Sequence, residues 1–277
     1  MNIFLTGGTG FIGSCFLKLA LKSGHFVYAV SRKKQKRKHK RLKWLYGKID
    51  KNWKNDLQKS DILVHFASAG VNNKSISYKK AFKFNVKESF KLFKNAIKND
   101  CKNWLIAGTS SEYGLSCSSK KKLNIKTKPL PQTTYEKTKY IFSKKILLLS
   151  KKERCKCRLM RIFPAYGQGE NEKRLWPSLI KAAINKKNFK MTHGNQIRDF
   201  TNVEYVSKVM LDACNFKKRK FRFSQVWHVS SGRAISLRNF AKKIWKRKKA
   251  KGKLIFNEIA SRDNYNYISD KKSIWKI

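Results

Sequence analysis

Acidic residues are scarce in this chain: 16 Asp and Glu stand against 66 Lys and Arg, a formal charge of +50 over 277 residues. Clustered Lys and Arg neutralise phosphates and release counterions, so such a balance raises nucleic-acid binding as a function. The basic residues run from end to end, however, and occupy helix exteriors, as at Lys79, Lys80 and Lys181. Two denser runs, Arg32–Arg41 and Lys246–Lys253, read as solvated loops and helix faces with a non-specific pull on polyanions. The field as a whole draws in anionic ligands and weakens with salt. Also missing is any apolar run near the roughly 20 residues that a membrane-spanning helix needs. The first residues, Met1–Thr6, carry no basic leader or cleavage site and read as strand. Six scattered cysteines have neither zinc-ligand nor redox-pair spacing, so no metal site is expected and the thiols suit a reducing, cytoplasmic setting. With four prolines there is no Pro-rich linker, and no internal repeat is present. What remains is ample core material, 41% hydrophobic and 13% aromatic, enough to exclude a wholly disordered chain.

That material alternates. Asn2–Thr6 is a short apolar run ending in glycines, Gly13–Ser23 has helical spacing closed by Gly24, and Phe26–Val30 is the next strand. A strand at Asp61–Phe66, a long amphipathic helix at Lys79–Asn99 and a strand at Asn103–Ala107 follow, then a helix at Tyr135–Ser150 and a strand at Cys157–Ile162. This rhythm predicts βαβ units and a doubly wound parallel sheet, an α/β fold of Rossmann type. After about residue 164 the pattern changes to Trp176–Asn185, Val203–Asn215, Gln225–Val229 and Leu237–Trp245. The expected organisation is a dinucleotide-binding domain over 1–164. Residues 165–277 are expected to form mostly a smaller cap, interleaved with the sheet, leaving a crevice between.

Gly7, Gly10 and Gly13 sit directly after the first strand and open a helix. The first turns the chain, the second admits a pyrophosphate to backbone amides, and the third lets helix and sheet pack closely. At the end of the second strand, where an acidic residue usually meets the adenosine ribose, the sequence reads Val30-Ser31-Arg32-Lys33. Arg32 could clamp a 2′-phosphate with Ser31 adding a hydroxyl donor, which favours NADP over NAD; otherwise Arg32 merely begins the lysine run. Tyr135 and Lys139 lie one helical turn apart. Such a pair is common on helix surfaces, and it gains weight from Thr109, placed at the crevice end of a predicted strand. A nearby ammonium favours phenolate and makes Tyr135 a usable acid–base group, while Thr109 would hydrogen-bond the same substrate oxygen.

Taken with Asp61–Ser68, Phe84-Asn85-Val86, Gly108–Gly114, Arg161–Gly167 and Gln196–Phe200, these motifs resemble the extended short-chain dehydrogenase/reductase family. The resemblance is to its NAD-dependent epimerase/dehydratase branch, which modifies nucleotide-linked sugars, and it spans Asn2 to about Asp270. It implies Thr109, Tyr135 and Lys139 as the catalytic trio. It implies a cofactor lining of Gly10, Phe11, Ile12, Gly13, His65, Phe66, Ala67 and Phe163, with Asn85 structural or cofactor-facing. Arg198 resembles the family's substrate-diphosphate arginine, with Arg174 as a second contact and Ser110 and Ser111 beside the sugar. The family's dehydratases carry Asp-Glu where this chain has Ser110-Ser111, so dehydration is not expected. Pro164 replaces the usual Asn, and relatives generally continue beyond the position of Ile277 through another cap helix. A homodimer through the two long helices is implied by analogy. The expectation is an NADPH-dependent reductase of a nucleotide-linked 4-keto-6-deoxyhexose, the alternatives being a nucleotide-sugar 4-epimerase and a polyanion-binding protein without turnover.

Overall fold

The computed structural model describes residues 1–71, 76–218, 221, 223–260 and 264–277. The first half runs β1 (Asn2–Thr6), α1 (Phe11–Lys22), β2 (Phe26–Ser31), β3 (Leu42–Tyr46), α2 (Lys54–Gln58), β4 (Ile62–His65) and α3 (Tyr78–Phe82). A π-helical segment, Lys83–Glu88, joins α3 to α4 (Ser89–Lys98), and β5 (Asn103–Thr109), α5 (Thr134–Lys152) and β6 (Lys156–Ile162) follow. The remainder is β7 (Ala165–Tyr166), α6 (Leu175–Ile184), β8 (Phe189–Met191), β9 (Ile197–Arg198), β10 (Thr201–Asn202) and α7 (Val203–Asp212). Then come β11 (Ser224–Val229), β12 (Ile235–Ser236), α8 (Leu237–Arg247) and β13 (Leu254–Phe256).

Seven parallel strands form one sheet in the order β11-β6-β5-β4-β1-β2-β3. Both faces of its centre are covered, so the strands alternate between two cores rather than between core and solvent. Ile3, Leu5, Ile62, Val64 and Leu105 point to the side of α1 and α7. Phe4, Leu63, Trp104 and Ile106 point to the side of α4 and α5, where Phe93 and Phe142 meet them. The chain order reverses beside β1, between β2 and β4, which opens the sheet's carboxyl ends at that point; such switch points are where ligands enter this architecture.

Two local features depart from the sequence expectation. The stretch after Arg41 forms the edge strand β3, whose half-exposed pattern is masked by the lysine run before it. The single long helix at Lys79–Asn99 is three segments, with a π turn at Lys83–Glu88 that inserts Asn85 into the core side. Residues beyond 164 serve both layers. The helix α7 packs on α1 and β11 completes the sheet, while Trp275 is fully buried and donates its indole N–H to Asp212 at 2.8 Å. The rest form a smaller lobe of α6, α8 and the pairs β8/β13 and β9/β12, centred on Phe200 stacked on Phe240 at 3.9 Å. Among the described residues no helix is long and apolar enough to cross a membrane.

Candidate active site

At the carboxyl end of β1 the glycines are dictated by contact. Gly7 holds φ +74°, and a Cβ there would fall 2.6 Å from the Ala67 backbone nitrogen. One on Gly13 would lie 2.1 Å from the Gly7 carbonyl oxygen. That carbonyl accepts the Gly10 N–H at 3.0 Å, closing the loop, and Gly10 caps α1 without a side chain. The first turn of α1 carries no acid, so its free N–H groups and dipole are available to an anion, with Phe11 and Ile12 partly exposed beside them. A backbone cradle that any Cβ would fill, opening on an uncapped helix end, fits the diphosphate of a dinucleotide.

The end of β2 is built differently from expectation. Ser31 is buried, and its hydroxyl donates to the Lys33 carbonyl at 2.7 Å while accepting from the Lys33 N–H and the Gln35 amide. Its proton is committed to closing the turn and is not free for the phosphate-donor role expected of Ser31. Arg32 is exposed, with its guanidinium 6.0 Å from the Phe84 ring.

Two expected cofactor-lining side chains face inward. His65 is 1% exposed, hydrogen-bonds the Thr6 hydroxyl at 2.7 Å and packs against Phe93 and Phe142. Burial, reinforced by the charge of Lys139, pushes its pKa down to about 3, so it is a neutral core residue behind the crevice. Phe163 is 1% exposed against the His228 ring, leaving only its backbone for a ligand. Phe66 and Ala67 stay partly open, Phe66 braced on Phe16 and Ala67 against Gly7.

Thr109 ends β5, and its hydroxyl accepts the Ser111 N–H, starting a 3-10 turn over Ser110–Tyr113. Tyr135 enters from the first turn of α5, a helix start fixed by the Thr133–Glu136 capping box. The Tyr135 phenol lies beside the side chains of Thr109 and Ser68, which pull its pKa down against burial. One turn on, Lys139 is buried and its ammonium donates to the Ala107 carbonyl at 2.8 Å. The sequence trio is thus gathered where β5 meets α5. Burial pushes the Tyr135 phenol up to about 12 against the opposing pull of Thr109. Burial likewise brings Lys139 down to about 8, opposed by the Glu112 carboxylate.

Ser68 is the contact that motif reading did not single out as a site residue. It is held by Asn85, whose side-chain oxygen accepts from the Ser68 hydroxyl and the Ala69 N–H, the latter at 2.7 Å. The Asn85 amide donates to the Ala69 carbonyl and to the Thr138 hydroxyl, both at 3.0 Å, tying the β4 loop to α5. Glu112 is fully buried: its carboxylate accepts from the Thr109 N–H, the Ser143 hydroxyl and the Arg161 guanidinium. Arg161 also donates to Tyr113, whose hydroxyl meets His228 at 2.7 Å. This network braces the Thr109 turn from behind.

Of the expected substrate residues, Ser110 is buried and Ser111 is partly exposed, its side chain beside the Tyr267 phenol. Arg198 stacks on the Tyr267 ring at 4.8 Å and donates to the Ile197 carbonyl, so Tyr267 links Arg198 to the Thr109 turn. Arg174 precedes α6, half exposed, paired with Glu170 at 3.5 Å, and its charge reaches Tyr135. Burial pushes Glu170 up to about 7 despite that pair.

Comparison with known proteins agrees with this architecture. The family model described as NAD dependent epimerase/dehydratase family matches residues 3–223. No curated protein matches the chain by sequence. Among solved structures, MoeE5 in complex with UDP-glucose and NAD is 21% identical with a TM-score of 0.84, covering 98% of this chain and 89% of that one. UDP-glucose 4-epimerase from Thermotoga maritima is 19% identical at a TM-score of 0.84, covering 98% and 91%. The dTDP-glucose 4,6-dehydratase from Bacillus anthracis, in complex with NAD, is 18% identical at 0.82, covering 99% and 89%. At such identities the likeness is one of fold, and the motif-bearing residues 3–223 carry the assignment. The chain belongs to the NAD-dependent epimerase/dehydratase family.

Proposed function

We propose that the protein reduces the keto carbon of a nucleotide-linked sugar, a 4-keto-6-deoxyhexose, drawing on NADPH. The observation that carries the reading is the Tyr135 phenol, set beside Thr109 and Ser68 and one helical turn from Lys139. A nicotinamide dinucleotide, when bound, supplies the hydride. Gly7, Gly10 and Gly13 would hold its diphosphate against the start of α1, and Arg32 a ribose 2′-phosphate. With the phenol pushed up to about 12, Tyr135 is protonated at neutral pH and serves as the acid. It gives its proton to the carbonyl oxygen as that oxygen gains charge, and Thr109 orients the same oxygen. The Lys139 ammonium and the two hydroxyls stabilise the phenolate left behind. Arg198 and Arg174 would grip the substrate diphosphate, for which a guanidinium is suited.

The absence of a carboxylate at Ser110-Ser111 speaks against dehydration, and Glu112 offers no substitute because Arg161, Ser143 and the Thr109 N–H engage it. A second reading, 4-epimerisation by the same trio, is favoured by the named activities of several structural neighbours, among them UDP-N-acetylglucosamine 4-epimerase from Methanobrevibacter ruminantium. The two separate in one assay: a panel of nucleotide keto-sugars and sugars incubated with and without NADPH. NADPH consumed in step with product supports reduction, whereas product without net consumption supports epimerisation. For the cofactor, Arg32→Asp should reverse a preference for NADPH over NADH; an unchanged preference removes Arg32 from the assignment. A homodimer through α4 and α5, where Leu148 stands 59% exposed, belongs to the same reading and is checked by sedimentation velocity.

A further inference from the structure

The outer face of the α3–α4 helix carries a groove that this chemistry does not use. A cavity of about 590 Å³ lies between that helix and the loop after β3, and a second of about 440 Å³ continues it, the two sharing Asp50 and Lys91. The helix wall presents Lys79, Lys83, Lys87, Lys91 and Lys98, roughly one cation per turn. Lys48, Lys51 and Lys54 line the facing wall, and every one of these lysines is exposed. Opposing them are Glu88 and Asp50, the latter 3.9 Å from Lys91. At one end Tyr78 and Phe82 stack at 5.7 Å, with Tyr78 47% exposed and its ring open to the groove.

We infer that this groove binds single-stranded nucleic acid, its lysines tracking successive phosphates and Tyr78 stacking a base. Charge complementarity selects a polyanion, since cations recur along both walls of the two adjoining cavities. The exposed Tyr78 ring, backed by Phe82, selects an unpaired strand, because a base within a duplex has no free face to offer. None of the glycine loop, Thr109, Tyr135 or Lys139 lines either cavity, so the groove is separate from the crevice. The even spread of lysines along the sequence concealed it. Only the fold brings the loop after β3 alongside the helix and turns a scattered charge into two facing rows.

The test is fluorescence anisotropy with labelled 15-mers of oligo-dT and oligo-rU across a salt series, on the full chain. Lys79→Gln/Lys83→Gln/Lys87→Gln should lower affinity by at least about tenfold and flatten the log–log salt slope by about 2, the counterion release of three single-strand phosphates. A control triple on α8, Lys242→Gln/Lys243→Gln/Lys246→Gln, removes equal charge and should leave both near wild type. Tyr78→Ala should weaken binding about fivefold or more, and inorganic polyphosphate should compete poorly at equal charge. Equal losses from the two triples would overturn the groove, leaving only the diffuse field of the chain. Polyphosphate or duplex binding as tightly, with Tyr78→Ala unaffected, would overturn the single-strand assignment. Circular dichroism confirms folding; should the groove triple not fold, the single Lys83→Gln and Lys87→Gln variants give the same comparison.

Discussion

Gly13→Ala isolates the packing on which the cofactor cradle depends. Alanine is normally the better residue inside a helix, by about 1 kcal/mol over glycine, so by propensity alone this change in α1 would stabilise the protein. Here the added Cβ would lie 2.1 Å from the Gly7 carbonyl oxygen and 2.8 Å from its carbon. A carbon–oxygen contact ordinarily settles at about 3.3 Å, so the two must part by about 1 Å. Both partners are backbone, and the Gly7 carbonyl is already anchored by the Gly10 N–H at 3.0 Å. Overpacking costs about 1–3 kcal/mol, and a clash between two backbone groups belongs to the upper part of that range, above the propensity gain. The variant should therefore lose up to about 2 kcal/mol in urea unfolding followed by tryptophan fluorescence. Displacing the loop should also weaken NADPH or NADH binding by tenfold or more, measured by fluorescence titration. Gly8→Ala is the comparison: its nearest obstacle is the flexible tip of Leu5 at 3.0 Å, so it should be far milder. A Gly13→Ala protein that is more stable than wild type and binds cofactor equally would refute the contact argument.

Four further outcomes are expected. Tyr135→Phe removes the proton donor and should lower kcat by at least about 100-fold while the protein stays folded, checked by steady-state kinetics and circular dichroism. Lys139→Met should gain stability relative to wild type at pH 7, and the gain should shrink between pH 8 and 10.5. In that window the unfolded chain keeps the proton that folded Lys139, brought down to about 8, has released, so wild-type stability rises by up to about 3 kcal/mol. His65 and His228, both held near a pKa of about 3 by burial, stay neutral while the unfolded chain takes up protons below about pH 6.5. Stability should fall by about 2 kcal/mol per histidine from pH 7 to 5, and unchanged urea midpoints would contradict it. Glu112→Gln strands Arg161 without its buried carboxylate and should cost about 3–5 kcal/mol, read from the same unfolding curves.

The sheet was legible because its strands are continuous apolar runs and its first turn is glycine-rich; both reflect burial on two faces and a backbone brought against backbone. The edge strand β3 was not, since an edge keeps one side open and Leu42–Tyr46 follows directly on a lysine run. Nor was the π turn, which leaves no periodic mark yet swings Asn85 between the β4 loop and α5. Within the site, Thr109, Tyr135 and Lys139 were readable because strand end and helical turn fix their positions. Ser68 and the Glu112–Arg161–Tyr113 network depend on pairs distant in sequence, which spacing cannot reveal. His65 and Phe163 misled for a related reason: a residue beside a cofactor motif can present its backbone to the crevice while its side chain belongs to the core.

The most direct test of the account follows NADPH absorbance and sugar product together for wild type and Tyr135→Phe, across nucleotide-linked 4-keto-6-deoxyhexoses. The account predicts one NADPH consumed per sugar reduced by the wild type, and a rate at least about 100-fold lower for the variant. No reduction of any keto-sugar, or a Tyr135→Phe rate equal to wild type, would contradict it.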